Sequence, residues 1–260
     1  METSITNLNN LDAISKTGLD KIAISPLDYW WHFLNPSRQD YKPDDSVIFN
    51  RALRCAVFTP SDFSKKYVRQ PIINKKTNVG KSEFENLINQ VSANGQELLD
   101  FNSYDSIVKM QRALTLHPTF KLLMNGEVGK PTRFIEPKSG AVVKFQPDFI
   151  SNGKIIVDLA TIENKNSNDF SKNVANFNLH KKAALQMDGM NLKAYVFVRI
   201  EEKEPFKISF HYLDDRSIAY GRELYIENCH TYAKCLSTGV WNGYSEKINE
   251  ISLPEWAFRK

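Results

Sequence analysis

A chain of 260 residues with 42% hydrophobic residues, 16 Phe and 10 Tyr has ample apolar side chain for a packed core. Its 34 Lys and Arg against 30 Asp and Glu leave a formal charge of +4, which is compatible with a nucleic-acid partner without requiring one. Three cysteines, an odd number, argue against a disulfide framework and fit a reducing cytoplasm.

No Pro/Gly/Ser-rich linker, repeat or low-complexity tract divides the sequence. One globular domain is therefore expected over residues 25–260, after a polar, partly helical segment over 1–24. The opening METSITNLNN lacks the basic and apolar regions of a signal peptide, and no apolar run approaches a membrane span. The expected setting is the cytoplasm, with no membrane partner.

Ser25-Pro26-Leu27-Asp28 predicts a helix start, with Ser25 as cap, Pro26 at the first helical position and Asp28 at the positive helix end. The helix carries Tyr29, Trp30, Trp31 and Phe33 and stops before Asn35-Pro36. This aromatic cluster reads either as core or as a platform for stacked bases. Ser46 to Phe58 predicts a second helix, with Phe49, Leu53 and Val57 on one face and Arg54 beside them. Thr59-Pro60-Ser61-Asp62 ends it and starts a short one.

Lys65 to Lys81 is basic and turn-rich. Lys65, Lys66, Arg69, Lys75, Lys76 and Lys81 have no acidic residue among them. Such a loop either holds phosphates or is an ordinary solvated surface. Helices are expected over 82–99 and 104–124, the second broken at Pro118.

Strands are expected at Thr132–Ile135, Ala141–Ile150 and Lys154–Leu159, joined by Pro137-Lys138-Ser139-Gly140 and Ser151-Asn152-Gly153. A helix from about Asp169 through Leu185 carries Phe170, Val174 and Phe177 on one face. Ala194–Ile200 predicts an interior strand, Phe206–Tyr212 a more exposed one, and Asp214–Ser237 a closing amphipathic helix. Cys229, His230 and Cys235 lack the spacing and the second ligand pair of a zinc site. The order of elements predicts an α/β domain with a mixed central sheet flanked by helices.

The chemistry concentrates in Val142 to Asp188. Pro147-Asp148 and Asp158 put two carboxylates on neighbouring strands, the kind of pair a hard divalent metal uses. Asp158 is expected at the rim, where the apolar run Ile155-Ile156-Val157 ends. Strand alternation places Lys144, Gln146 and Asp148 on one face. The layout is similar to the PD-(D/E)xK nucleases, whose second half reads D-x-K. Here it reads Asp158-Leu159-Ala160, so the lysine that orients the attacking water and offsets developing charge is missing.

Over roughly residues 8 to 258 the chain resembles the RecE-type exonuclease family (exodeoxyribonuclease VIII) of prophages. The resemblance runs through SPLDYWWHFLNP, RALRCAVFTPSDF, NKKTNVGK, PKSGAVVKFQPD, IIVDLATIE, NLHKKAALQMDGM, the stretch from Tyr232 to Thr238 and SLPEWA. It implies a PD-(D/E)xK core, Mg2+ or Mn2+ on Asp148 and Asp158, and 5′→3′ digestion of double-stranded DNA ends for phage recombination. It also implies a single-strand annealing protein as partner and a ring-like homo-oligomer inside a bacterial host cell. The basic residues Arg69, Lys75, Lys76 and Lys81 are then expected to meet nucleic acid.

Taken residue by residue, the family's metal-proximal histidine falls on Arg54. Its acidic residue falls near Gly129, with Glu127 two places away. Its lysine falls on Ala160, and the glutamine of its H-x-Q helix falls on Lys182, with His180 kept. An engineered change could account for Ala160 and not for the other three. Two readings follow. Either the lysine has moved, with Lys182 or Lys144 taking its place, or catalysis is lost and Arg54 and Lys182 pair with the two aspartates. In the second the chain is a pseudo-nuclease that binds DNA or a protein, for example as a phage inhibitor of a host defence complex.

Overall fold

The computed structural model describes residues 13–38, 43–162, 170–244, 248 and 250–258. Strand β1 (Ala13–Ser15) leads into helix α1 (Lys16–Ile24), which Ser15 caps by accepting from the Gly18 amide. Ile14, Leu19 and Ile22 are buried in the main core, so the division expected at residue 25 is not a packing boundary. A three-residue strand is too short to show a period of two.

Ser25 caps α2 (Pro26–Tyr29), which runs on as a π-helical turn over Trp30–Leu34 and ends before Asn35. Tyr29 packs against Phe33, Tyr232 and Trp241, with ring centroids 4.9, 5.2 and 5.4 Å away. Part of the aromatic cluster is therefore core, while Trp31 stays exposed. Helix α3 (Asp45–Phe58), capped by Asp44, buries Leu53 and Val57 as its periodicity predicts. Helix α4 (Pro60–Lys66) begins on Pro60, and the Thr59 hydroxyl donates back to the Cys55 carbonyl instead of capping it.

The basic segment is not one loop. It comprises the end of α4, strand β2 (Tyr67–Arg69), an irregular stretch over 70–77 that carries Lys75 and Lys76, and the first turn of α5 (Asn78–Ala93). Strand β3 (Glu97–Leu99) pairs in parallel with β2, at the end of the stretch expected to be helical throughout. Helix α6 (Phe101–Leu116) gives way at His117 to α7 (Pro118–Leu123), as Pro118 requires.

Four short strands follow: β4 (Gly126–Val128), β5 (Thr132–Ile135), β6 (Val142–Phe145) and β7 (Phe149–Ser151). The expected strand over 141–150 is thus two strands in two sheets. Pro147 has no N–H to continue a ladder, and the chain leaves one sheet for the other around it. Sheet order is β1-β6-β5 in one; the other runs β10 (Ile208–His211), β9 (Ala194–Glu201), β8 (Ile155–Ile162), β7, β4. Asn152 and Gly153, with φ of 50° and 64°, supply the left-handed pair that a tight turn into β8 (Ile155–Ile162) needs.

Helices α8 (Phe170–Asn176) and α9 (Leu179–Met190) are separated by Asn178 in the left-handed region. The single helix expected there is therefore broken and Phe177 is exposed, while its expected start at Asp169 lies outside the described residues. Strand β9 (Ala194–Glu201) runs parallel to β8, and β10 (Ile208–His211) closes the edge antiparallel to β9. Helix α10 (Asp215–Thr238) is capped by Asp214 and stops at Gly239, φ 70°.

Alternation along β8 and β9 divides the core. Val157, Leu159, Val198 and Ile200 pack with Leu53, Ile107 and Met110 of α3 and α6. Ile156, Tyr195 and Phe197 pack with Leu19, Ala183 and Tyr225 of α1, α9 and α10. The result is the expected α/β architecture, a mixed sheet between helices. Among the described residues no helix is long and apolar enough to cross a membrane.

Candidate functional site

Asp148 stands in the gap between β6 and β7, just after the proline that frees the chain from the ladder. Its Oδ2 accepts from the Leu159 amide at 2.9 Å, which ties the gap to β8. Asp158 is not at a strand end as expected. β8 continues to Ile162, and Asp158 sits inside it, with 4% of its side chain exposed. The rim was misplaced because Ala160, Thr161 and Ile162 extend the strand beyond its apolar run.

Three cations converge on these two carboxylates. Arg54 on α3 brings Nε to 3.4 Å from Asp148 Oδ1, and its Nη1 donates to the Leu159 carbonyl at 3.4 Å. Lys182 on α9 bonds Asp158 Oδ2 directly. Arg199 on β9 places Nη2 2.8 Å from Asp158 Oδ1 and donates through Nη1 to the Asp158 carbonyl at 2.9 Å. The Tyr195 hydroxyl donates to Asp158 Oδ2 at 3.0 Å.

The two acids respond in opposite directions. Burial works to raise the Asp158 carboxyl, but the charges and hydrogen bonds of Lys182 and Arg199 outweigh it and hold the group well below the usual carboxylate range. Burial raises Asp148, helped by the charge of Asp158, and Lys182 and Arg54 do not overcome it. Burial and the neighbouring Asp158 push the Tyr195 phenol far up, so it serves as a donor.

These donors do not suit a hard divalent ion, which takes several free oxygen ligands. Every carboxylate oxygen of the pair already faces a protein N–H, O–H or cation. Among the described residues no three His, Cys, Asp or Glu side chains gather as a metal site. The acidic residue expected near Gly129 has no room there, because a Cβ on Gly129 would meet the Pro147 carbonyl oxygen at 2.1 Å. Glu127 is exposed and pairs with Lys130 at 3.5 Å.

Other expected participants lie apart. Lys144 is exposed on β6, in the other sheet, and forms no ion pair with either aspartate among the described residues. Gln146 turns its amide to the Gly129 carbonyl at 2.9 Å. His180 stacks on Tyr220 and bonds the Val174 carbonyl, facing α10 and α8. Arg69 is already neutralised by Asp105 on α6 through two bonds of 2.8 and 2.7 Å. Lys75 covers the Phe84 ring, while Lys76 and Lys81 are exposed.

Arg199 was the residue that sequence reasoning missed. A signal existed, since one arginine in the interior strand AYVFVRI requires a buried acid. Beside Asp148 a cleft of about 340 Å3 opens, lined by Arg51, Arg54, Cys55, Phe58 and Gln146 among others. Asp158 does not line it.

Residues 29–254 match the model of a family described as "PDDEXK-like domain of unknown function (DUF3799)". No curated protein matches the chain. Among solved structures, a similar one is the crystal structure of a protein from Eubacterium rectale named "Putative exonuclease". It has a TM-score of 0.62 and 12% identity over 100% of this chain and 98% of that one. At that identity the likeness is one of fold. The match over residues 29–254 spans most of the sequence, and the chain therefore belongs to this PDDEXK-like family, DUF3799.

Proposed function

We propose that this chain is a RecE-like homologue from phage or prophage DNA recombination that binds double-stranded DNA ends without hydrolysing them. The observation that carries the loss of cutting is the ion pair of Arg54 with Asp148. In nucleases that use a metal, the ion polarises the phosphodiester and lowers the pKa of a bound water. Here a guanidinium occupies the Asp148 end, and Ala160 offers no ammonium to orient water.

Retained DNA binding is supported by the nuclease-type fold, the +4 charge and a cleft where Arg54 lies one helical turn from Arg51, itself paired with Glu97 at 2.6 Å. Guanidinium groups so placed suit phosphate contacts, which position a duplex without reading its sequence. An annealing protein and further copies of the chain are the partners this role implies.

A second reading has one observation in its favour. Lys182 reaches Asp158 from α9, where a lysine displaced from position 160 would act. The chain would then be a Mg2+- or Mn2+-dependent exonuclease.

The test is incubation of linear duplex DNA with the protein and Mg2+ or Mn2+, beside a gel-shift in chelator. Intact DNA and a chelator-resistant shift are expected. Digestion that disappears in Asp148→Ala would replace the proposal with the second reading. Intact DNA with no shift would move the role to a protein partner, such as a host defence complex.

A further inference from the structure

We propose that Arg199 is the fold's built-in counter-cation, balancing Asp158 from the neighbouring strand and keeping that position closed to divalent metals. The proposal deepens the non-cutting reading and rests on it.

The parallel register sets Ala160 opposite Arg199, and Asp158 opposite Phe197. Cross-strand partners in a parallel pair share a face, so Asp158, Ala160 and Arg199 project to one side. A lysine at 160 would carry its ammonium into that space. Alanine contributes a methyl group, and the guanidinium from β9 reaches back to Asp158 instead.

Arg199 is held in ways that Lys182 is not. Its guanidinium bonds the side chain and the main-chain carbonyl of the same residue, Asp158, and also the Val198 carbonyl at 3.0 Å. Phe170 and Phe197 lie with ring centroids 5.1 Å from its central carbon. A planar, weakly hydrated guanidinium tolerates such apolar neighbours, and a hydrated dication does not. The side chains of Arg199 and Asp158 are 5% and 4% exposed. Releasing the arginine to admit an ion would leave a buried charge without its partner. Lys182 is 28% exposed and has a path to solvent, so it can leave Asp158 at smaller cost.

Mn2+ tests this without knowledge of any substrate. Free Mn2+ is followed by electron paramagnetic resonance, and melting temperature is measured in Mn2+ and in chelator. The wild type is expected to leave the Mn2+ signal undiminished and to melt alike in both. Arg199→Gln is expected to melt lower in chelator and recover in Mn2+, with recovery lost when Asp158→Asn is added. Arg199→Lys, which keeps the charge, is expected to stay indifferent to metal.

Stoichiometric Mn2+ on the wild type would overturn the proposal, as would a folded Arg199→Gln that ignores Mn2+. Should Arg199→Gln not fold in either condition, Lys182→Met decides. Its gain of Mn2+ binding would assign the ion's place to Lys182 and overturn the proposal, and its indifference would support Arg199. A wild type that binds Mn2+ yet shifts duplex DNA and leaves it uncut overturns this inference alone. One that binds no duplex overturns the proposed function alone.

Discussion

Asp148 and Asp158 occupy one motif and sit on adjoining segments, yet they face different surroundings. Asp158 lies inside a strand, with both oxygens engaged by Lys182, Tyr195 and Arg199. Asp148 lies in the gap opened by Pro147, with 13% of its side chain exposed, one main-chain bond from the Leu159 amide and one long contact to a cation, Arg54. The first carboxylate has become part of the folded core's charge balance, while the second still borders a cleft. A fold can therefore keep the positions of a metal pair while their electrostatic roles diverge, because each carboxylate answers to its own nearest cations.

The largest expected effect comes from removing Asp158. Asp158→Ala leaves the Arg199 guanidinium buried without its partner and is expected to cost about 3–5 kcal/mol of unfolding free energy. Asp148→Ala forfeits the bond to the Leu159 amide and is expected to cost about 1–3 kcal/mol. Chemical denaturation midpoints of the two variants, at neutral pH, make the comparison. Equal losses would mean that the two ends do not differ as their partners imply.

Acid titration is expected to separate them by sign. The folded pKa of Asp158 lies below its unfolded value, so its contribution is complete above about pH 4 and drains as pH falls through the folded value. Asp148 has a raised folded pKa, so ionising it in the folded protein costs stability as pH rises from about 4 through that value. Asp158→Asn should therefore flatten the acid loss of stability. Asp148→Asn should gain on the wild type as pH rises above about 4, whereas the Asp158 effect lies below that pH. Denaturation curves over that range would break the comparison if both variants shifted in one direction.

The fold was largely legible because it rests on local signals. Ser25-Pro26, the α3 stripe, Pro118 and Asn152-Gly153 each act within a few residues of where they stand. Strands β1, β3 and β4, of three residues each, show no periodicity and gain their identity from distant partners. The site divided the same way. Asp148 and Asp158 could be read from Pro-Asp and an apolar run. Arg199 could not be attached to Asp158, because its contact spans 41 residues and depends on the β8–β9 register. The Arg69 ion pair was hidden for the same reason, since its acid, Asp105, arrives from helix α6.

The smallest perturbation probes whether the Asp148 end is open. Cys55 lines the cleft beside Arg54 and Asp148 and is half-buried, with its sulfur 3.4 Å from the Thr59 hydroxyl. Cys229 is fully buried, and burial pushes its thiol up to about 12. Cys235 is buried as well, and burial raises it too. The thiolate is the reacting form, and a buried, neutral thiol meets neither requirement for attack. A small alkylating reagent is therefore expected to modify Cys55 in the native protein and to reach Cys229 and Cys235 only after unfolding, as mass spectrometry of peptides would report. Duplex DNA should slow the reaction at Cys55 if the cleft follows the nucleic acid. Labelling of Cys55 as slow as that of Cys229 would mean that the Asp148 end is closed too, and the contrast between the two aspartates would then rest on charge alone.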